Sequence, residues 1–355
     1  MAKKEKKCYT AIGGSALIEG VMMRSPEKTA IAVRRERGDI VLKVTQNQKA
    51  NPIIAKIPVV RGLVSFVKSM KLSYSSMMYS ADIAMEDIKE EAPPETKFEK
   101  LLSKAFGKTG MAILGVLAVA LGLVMGMGLF FALPTLIVSF VTGLFPGFAE
   151  LSEGARRIIT SVGEGVIKMG VFLIYLIAVS CMNDIKRVFQ YHGAEHKSIF
   201  CYEKGAELTP ENAATFKRFH PRCGTSFLAL TLLVSIVIST LITTDSVWVR
   251  AGMRIGLIPL MMGVAYECIQ LAGKYDNAFT RILSAPGMWF QRLTTKEPDE
   301  KQLEIAIAAL EGVLKEYPID EQLILNQDGS WQIMEKNSEK EVSNESKTCD
   351  STEEC

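Results

Sequence analysis

The sequence predicts a mainly α-helical, polytopic membrane protein with about four transmembrane helices and a small cytoplasmic α+β head at its N-terminus. One basis for this prediction is the distribution of apolar residues. They make up 48 % of the 355-residue chain and are concentrated in four stretches that carry almost no charge, at 109–149, 165–183, 223–244 and 255–273. Each stretch is long enough to cross a bilayer as a helix, which takes about 20 residues.

The second basis is the placement of lysine and arginine around these stretches. Basic residues are concentrated before the first stretch, between the second and third, and after the fourth, whereas the turn between the third and fourth carries Asp245. Because loops rich in Lys and Arg remain in the cytoplasm, both termini and the segment 184–222 are expected there. A double crossing by 109–149 would place that basic segment outside, so 134–148 is expected to be re-entrant or interfacial.

The soluble parts divide into a head and a tail. Alternating apolar and polar residues on both sides of Arg37-Gly38-Asp39 predict a β-hairpin, and helical spacing of apolar residues predicts an amphipathic helix further along the head. The expected organisation is a head at 1–108, with the hairpin at 28–45 and the amphipathic helix at 57–91; a membrane domain at 109–274 that includes the cytoplasmic histidine segment 184–222; a cytoplasmic helical segment at 275–318; and a mostly disordered tail at 319–355.

The expected partners follow from the amphipathic helices and the net charge. The lipid bilayer is the first partner, and the helices at 57–91 and 299–315 could dock membrane proteins through their apolar faces. For 57–91, packing within its own domain is an equally open alternative. The formal net charge is only +2, so no basic field indicates nucleic acid as a partner.

All three histidines lie within 29 residues of one another. His192 and His196 are four residues apart, with Glu195 between them, which places both imidazoles on one face of a helix. The order His-x-x-Glu-His is the inverted zincin pattern, in which the histidines hold zinc and the glutamate acts as general base. The sequence therefore predicts a zinc site with Glu195 as the catalytic residue, or histidines that are only hydrogen-bonded interface residues.

A zinc ion needs at least a third protein ligand. His220 and Cys223 precede the third apolar stretch, so they return to the membrane surface from which His192 and His196 extend. Either can bind zinc, and the sequence leaves the choice open. Glu267 in the fourth stretch is another candidate, although it is expected to lie deeper than the histidines. An ionisable side chain in a span is a candidate functional residue in its own right.

Five motifs carry a resemblance to a known family: GGSALIEGVMMRSP (13–26), IPVVRG (57–62), YHGAEHK (191–197), FHPRCGTSF (219–227) and the segment 275–310. Through them the sequence resembles the YqhQ-like family of bacterial inner-membrane proteins, a domain of unknown function often described as predicted metal-dependent enzymes. The resemblance implies the bacterial cytoplasmic membrane as location. It also draws attention to Glu19, Arg24 and Arg61 as further candidate site residues.

Glu19 lies in the apolar setting ALIEGVMM, where an unpaired carboxylate would be costly to bury. Arg24 or Arg61 is the expected partner, in an ion pair that stabilises the head.

Two function classes remain open. One is a membrane-bound, zinc-dependent hydrolase that acts at the cytoplasmic face. The other is a non-enzymatic accessory or scaffold protein, for instance in membrane-protein biogenesis, in which any metal is structural. Transport is a weaker third class, because four spans are few and only Glu267 and Lys168 are candidate charges within them.

Overall fold

The computed structural model describes residues 12–48, 56–86, 117, 119–220, 223–242, 244, 247–274, 278–326 and 329–334. The described chain is mainly helical, with one antiparallel sheet whose six strands follow one another in chain order. The strands are β1 (Gly13–Leu17), β2 (Gly20–Arg24), β3 (Lys28–Arg34), β4 (Ile40–Gln46), β5 (Gln322–Leu325) and β6 (Trp331–Ile333).

The helices surround this sheet on both faces and extend from it as an apolar bundle. They are α1 (Val60–Ala84), α2 (Val119–Gly143), α3 (Glu153–Ser180), α4 (Asn183–Glu203), α5 (Pro210–Ala214), α6 (Gly224–Thr240), α7 (Val247–Gly256), α8 (Ile258–Lys274), α9 (Ala278–Thr294) and α10 (Glu300–Leu314).

The sheet is buried on both faces because its strands alternate two sets of apolar side chains. One set, which includes Val21, Met23 and Leu42, packs against α4 and α10. The other set, which includes Met22 and Val41, packs against the end of α1. Since successive side chains of a strand point to opposite faces, two helical layers can enclose one sheet. The hairpin predicted at 28–45 is present as β3 and β4, which pair from Lys28 with Gln46 to Arg34 with Ile40.

The C-terminal part of the chain belongs to this same core. Helix α10 begins with a capping box formed by Asp299 and Gln302, and its apolar side chains are buried between α4 and the sheet. The helix expected at 299–315 to dock partners is therefore a core helix. Strand β5 pairs with β4, so the first part of the tail expected to be mostly disordered completes the sheet instead. Residues 335–355 of that tail lie outside the described residues.

Helices α2 and α3 are long and apolar enough to cross a membrane, by length and composition alone. Helix α6 and the apolar part of α8, Ile258–Leu271, are shorter. The structure therefore gives a weak indication of membrane association and does not confirm the four predicted spans. Within 134–148, which was expected to be re-entrant or interfacial, α2 continues through Pro134 to Gly143 after a π-helical segment at Gly128–Ala132, so the chain is helical without a break at this proline.

The amphipathic helix predicted at 57–91 is present as α1, and residues 87–91 lie outside the described part. Its C-terminal half contacts the sheet, and its N-terminal half crosses α8. Gly62 permits this crossing, because a Cβ there would lie 2.8 Å from the Cβ of Tyr266. A row of large apolar side chains on the remaining face, including Val67, Met70, Tyr74 and Met78, is exposed.

Candidate metal centre

Helix α4 positions the first two candidate ligands. It leaves the C-terminal end of α3 after a short turn and runs beside β1, with Glu195 and His196 both buried. His192 and His196 are one turn apart on the same face, and their ring centroids are 4.5 Å apart. The predicted pair is therefore formed by helical periodicity, as the spacing indicated.

Both imidazoles are oriented by backbone carbonyl groups. His192 Nδ1 lies 2.8 Å from the carbonyl oxygen of Thr294, and His196 Nδ1 lies 2.5 Å from that of Arg218. A carbonyl oxygen only accepts hydrogen bonds, so both Nδ1 atoms must carry the proton and donate. In a neutral imidazole this leaves a lone pair on Nε2, the arrangement that usually orients histidine ligands of metals.

Gly193 permits the contact that orients His192. The segment that follows α9 crosses α4 at this residue, where the N–H of Lys296 donates to the carbonyl oxygen of Phe189 at 2.9 Å. A Cβ on Gly193 would overlap the carbonyl oxygen of Lys296. The glycine in YHGAEHK thus allows the backbone around Thr294 to lie against the helix.

We expect Gly193→Ala to lower the free energy of unfolding by about 1–3 kcal/mol, the usual effect of inserting a methyl group where there is no space. Thermal unfolding of the purified full chain measures this effect. Gly170→Ala is the matched control, because a Cβ on that helical glycine meets nothing within 4 Å. An equal midpoint of unfolding for Gly193→Ala and wild type would contradict the close crossing.

Cys223 supplies the third candidate ligand. It is the N-cap residue of α6, and its Sγ accepts hydrogen bonds from the Thr225 N–H at 3.5 Å and from the Thr225 hydroxyl at 3.3 Å. The same sulfur lies 3.1 Å from His192 Nε2. Ligand atoms of His192, His196 and Cys223 all lie within 4.8 Å of one another. In a tetrahedral zinc site the ligand atoms lie roughly 3.3–3.7 Å from one another. Small rotations of the three side chains would bring their ligand atoms to these distances.

His220 lies beside this group but is not a member of it. Its ring centroid is 5.6 Å from that of His196, and its Nε2 lies 4.0 Å from a carboxylate oxygen of Glu203. Its backbone is fixed by the buried side chain of Gln291, which accepts from the His220 N–H and donates to the His220 carbonyl oxygen, both at 2.7 Å. Between the two ligands that the sequence left open, the geometry favours Cys223.

Glu195 is buried against β1, close to the three candidate ligands. One of its carboxylate oxygens lies 3.9 Å from His192 Nε2, and it accepts a hydrogen bond from the N–H of Gly14. Burial raises the pKa of Glu195 to about 7, although the electrostatic interaction with His192 and the hydrogen bond from Gly14 act in the opposite direction. A Cβ on Gly14 would lie 2.8 Å from Glu195 Cγ, so only glycine allows the strand to approach this closely.

Glu19 pairs with a residue that the sequence did not suggest. It occupies the β1–β2 turn with φ 51°, and its carboxylate accepts two hydrogen bonds from Arg187 on α4 and one, at 3.1 Å, from the Tyr191 hydroxyl. The expectation that Arg24 or Arg61 is its partner is therefore wrong. Arg24 ends β2, away from the turn. The ion pair fastens the β1–β2 turn to the helix that carries the histidines.

Glu267 belongs to a separate contact and is not part of the metal group. It accepts hydrogen bonds from Arg61 Nε at 2.8 Å and Nη2 at 2.5 Å, and from the Val59 N–H at 3.2 Å. This bidentate ion pair joins the start of α1 to α8. Glu267 was left open by the sequence as a metal ligand. In the structure its carboxylate is instead paired with Arg61.

Sequence reasoning missed the groups that orient the candidate site residues. They are Gly14, Gly193, Gln291 and the carbonyl groups of Arg218 and Thr294. Gly14, Gly193 and Gln291 do lie inside three of the five motifs, which was the available signal. The backbone carbonyls carry no signal, because any residue can supply one.

The comparisons with known proteins agree with the resemblance found in the sequence. The family described as "Protein of unknown function (DUF1385)" matches residues 57–316. The chain is 35 % identical over 328 residues to the "Uncharacterized protein YqhQ" of Bacillus subtilis (strain 168), covering 89 % of this chain and 96 % of that protein. No solved structure matches the chain. The chain therefore belongs to the DUF1385 family and is similar over most of its length to YqhQ.

Proposed function

We propose that this protein is a metal-dependent hydrolase of the bacterial inner membrane, with His192, His196 and Cys223 as metal ligands and Glu195 as general base. One observation carries the proposal. Two imidazoles are oriented by carbonyl groups that accept from their Nδ1 atoms, which leaves the lone pairs on Nε2, and the Cys223 thiol lies within hydrogen-bonding distance of the His192 Nε2.

The donor set fits zinc. Nitrogen and sulfur are the donors that zinc prefers, and three protein ligands with a free fourth position are typical of its catalytic sites. A bound zinc ion would supply Lewis acidity and lower the pKa of a water molecule toward 7. Among the described residues, only these three bring candidate ligand atoms within 4.8 Å of one another. The fourth position of a bound ion would then be left for water or substrate.

Glu195 is suited to move a proton beside such a site. Its carboxylate is buried and lies 3.9 Å from the ligand atom of His192, yet it is outside the group of three ligands. Gly14 holds it through a single backbone hydrogen bond. The carboxylate would take a proton from the attacking water and return it to the leaving group, while the enclosed position limits access of bulk solvent.

The membrane location rests on the apolar helices. We propose that α2, α3, α6 and α8 cross the bilayer, with both termini and the metal centre on the cytoplasmic side. The 17-residue helices α6 and α8 each measure about 26 Å, at the lower limit for a span. Only a short turn separates α3 from α4, and this supports a metal centre close to the membrane surface.

A non-enzymatic scaffold is the second candidate function, and one observation favours it. Helix α1 exposes a row of large apolar side chains, of which Tyr74 is 69 % and Val67 57 % accessible. Such a row could lie on the bilayer or against a partner protein, and the metal would then be structural.

The metal content of wild-type protein tests both candidate functions that include a bound metal, the hydrolase and the scaffold with a structural metal. Full-length protein purified in detergent without chelators is expected to contain about one zinc ion per chain, since the ligands form a single site. Elemental analysis against protein concentration gives the stoichiometry. Metal-free protein that also fails to bind added zinc would reject the metal centre and leave the scaffold function.

A further inference from the structure

The carboxylate of Glu297 joins three segments that converge on the metal centre. Its Oε1 lies 2.9 Å from Nη1 of Arg218, and its Oε2 lies 2.9 Å from Nζ of Lys197. Lys197 belongs to α4, Arg218 to the segment between α5 and α6, and Glu297 to the segment between α9 and α10. The three segments are therefore linked through one side chain.

Two of these segments carry the carbonyl groups that orient the histidines. His196 Nδ1 donates to the carbonyl oxygen of Arg218, the same residue whose guanidinium pairs with Glu297. Thr294, three residues before Glu297, supplies the carbonyl oxygen to which His192 Nδ1 donates. Glu297 is thus one residue removed from the group that orients His196.

The segment that carries Thr294 is held to α4 without the help of the Glu297 carboxylate. The N–H of Lys296 donates to the carbonyl oxygen of Phe189 at 2.9 Å, and the side-chain amide of Gln190 donates to the backbone carbonyl oxygen of Glu297 at 3.3 Å. Because these bonds use backbone groups at 296 and 297, they persist when the carboxylate is replaced. The orientation of His192 should therefore not depend on it.

The side chain of Arg218 has no comparable second attachment among the described residues. Its guanidinium otherwise contacts the ring of Phe219, the next residue in the chain, with 5.0 Å between the guanidinium carbon and the ring centroid. That contact ties Arg218 to no other segment. The ion pair with Glu297 is the contact that links the Arg218 side chain to the rest of the site.

The burial of the two cations makes this ion pair matter although the carboxylate itself is 64 % exposed. A pair between fully exposed side chains stabilises little. Here the side chains of Lys197 and Arg218 are only 8 % and 24 % exposed, and they share one carboxylate. Lys197 Nζ also donates to the carbonyl oxygen of Ala214 at 2.8 Å. If the carboxylate became neutral, Arg218 would be the cation free to move toward water.

We propose that Glu297 is a positioning residue of the metal centre. Through its ion pair with Arg218 it holds the Arg218 carbonyl group where His196 Nδ1 can donate to it, which keeps the lone pair of His196 on Nε2. The inference rests on the proposed function for the role of His196 as a ligand. Groups that orient metal ligands typically change metal affinity about 10–100-fold. Glu297 acts one contact further out, so Glu297→Gln should weaken zinc binding about tenfold.

The proton positions of the histidines test this proposal without any metal. The chain contains three histidines, so ¹⁵N-labelled histidine gives imidazole NMR signals from three side chains. At about pH 8, above the ordinary imidazole pKa of about 6.5, metal-free wild-type protein in detergent should show His192 and His196 with the proton on Nδ1. In Glu297→Gln, His196 should become a mixture of tautomers, whereas His192 should be unchanged. His192→Ala and His220→Ala assign the signals.

Two further variants serve as controls. Glu304→Gln removes a carboxylate that pairs with Arg34 at 2.5 Å and joins α10 to β3, so it should keep the wild-type tautomers and zinc affinity. Arg218→Met should reproduce the effects of Glu297→Gln. The double variant should lose no more zinc affinity than either single variant, because both changes break the same contact. Arg218→Met also replaces Glu297→Gln if the latter does not fold.

The outcomes are distinct. An unchanged His196 tautomer in Glu297→Gln or Arg218→Met would overturn the proposal. Equal losses of zinc affinity in Glu304→Gln and Glu297→Gln would also overturn it, because the effect would then be a general loosening of the fold. If wild-type protein bound no zinc while the His196 tautomer still depended on Glu297, the hydrolase would be rejected and the positioning role supported.

Discussion

His192→Ala, His196→Ala and Cys223→Ser are each expected to abolish zinc binding by the purified protein, whereas His220→Ala should retain it. Each of the first three changes removes one of three ligand atoms that lie within 4.8 Å of one another. Loss of a group that only orients a ligand costs about 10–100-fold in affinity, so loss of a ligand should cost more than about 100-fold. Elemental analysis and zinc titration of the four variants measure this.

His220→Ala is the matched control, because it removes an imidazole 5.6 Å from His196 that lies outside the group of three. Thermal unfolding without metal shows whether each variant is folded. If His220→Ala lost zinc while Cys223→Ser kept it, the third ligand would be His220 and the geometry at the start of α6 would have to change. Retention of zinc by His192→Ala would reject the site as a whole.

Glu195→Gln is expected to retain about one zinc ion per chain and to lose the function of the protein. Glutamine has the size of glutamate, and its carbonyl oxygen can still accept the hydrogen bond from the Gly14 N–H, so the local structure should persist. It cannot take up a proton as a base. Loss of a general base typically lowers a rate about 10²–10⁴-fold, which would prevent the variant from complementing a strain that lacks the protein.

The comparison of zinc content with complementation distinguishes the two candidate functions. If the protein is a hydrolase, Glu195→Gln should keep its zinc and lose its function. If it is a scaffold with a structural metal, Glu195→Gln should keep both. Glu207→Gln, an exposed change after α4, controls for expression and should behave as wild type. Loss of zinc from Glu195→Gln would make Glu195 a ligand and contradict its role as a base.

The sequence by itself determined the features that depend on local periodicity. The mainly helical class, the β3–β4 hairpin and the helix α1 follow from spacings of two and about 3.6 residues. The pairing of His192 with His196 follows from the same helical period, because residues four apart share a face whatever surrounds them. The apolar stretches around α2 and α3 were likewise evident from composition alone.

The tertiary structure alone decided every feature that depends on residues far apart in the chain. Glu19 could have paired with any cation of the head, and it pairs with Arg187, 168 positions away. Arg61 pairs with Glu267, 206 positions away, and β5 joins β4 although it lies in the tail that was expected to be mostly disordered. The choice of Cys223 over His220 followed from where the start of α6 lies relative to α4. Spacing fixes which face of one element a side chain occupies, but only the packing of elements against one another determines which faces meet.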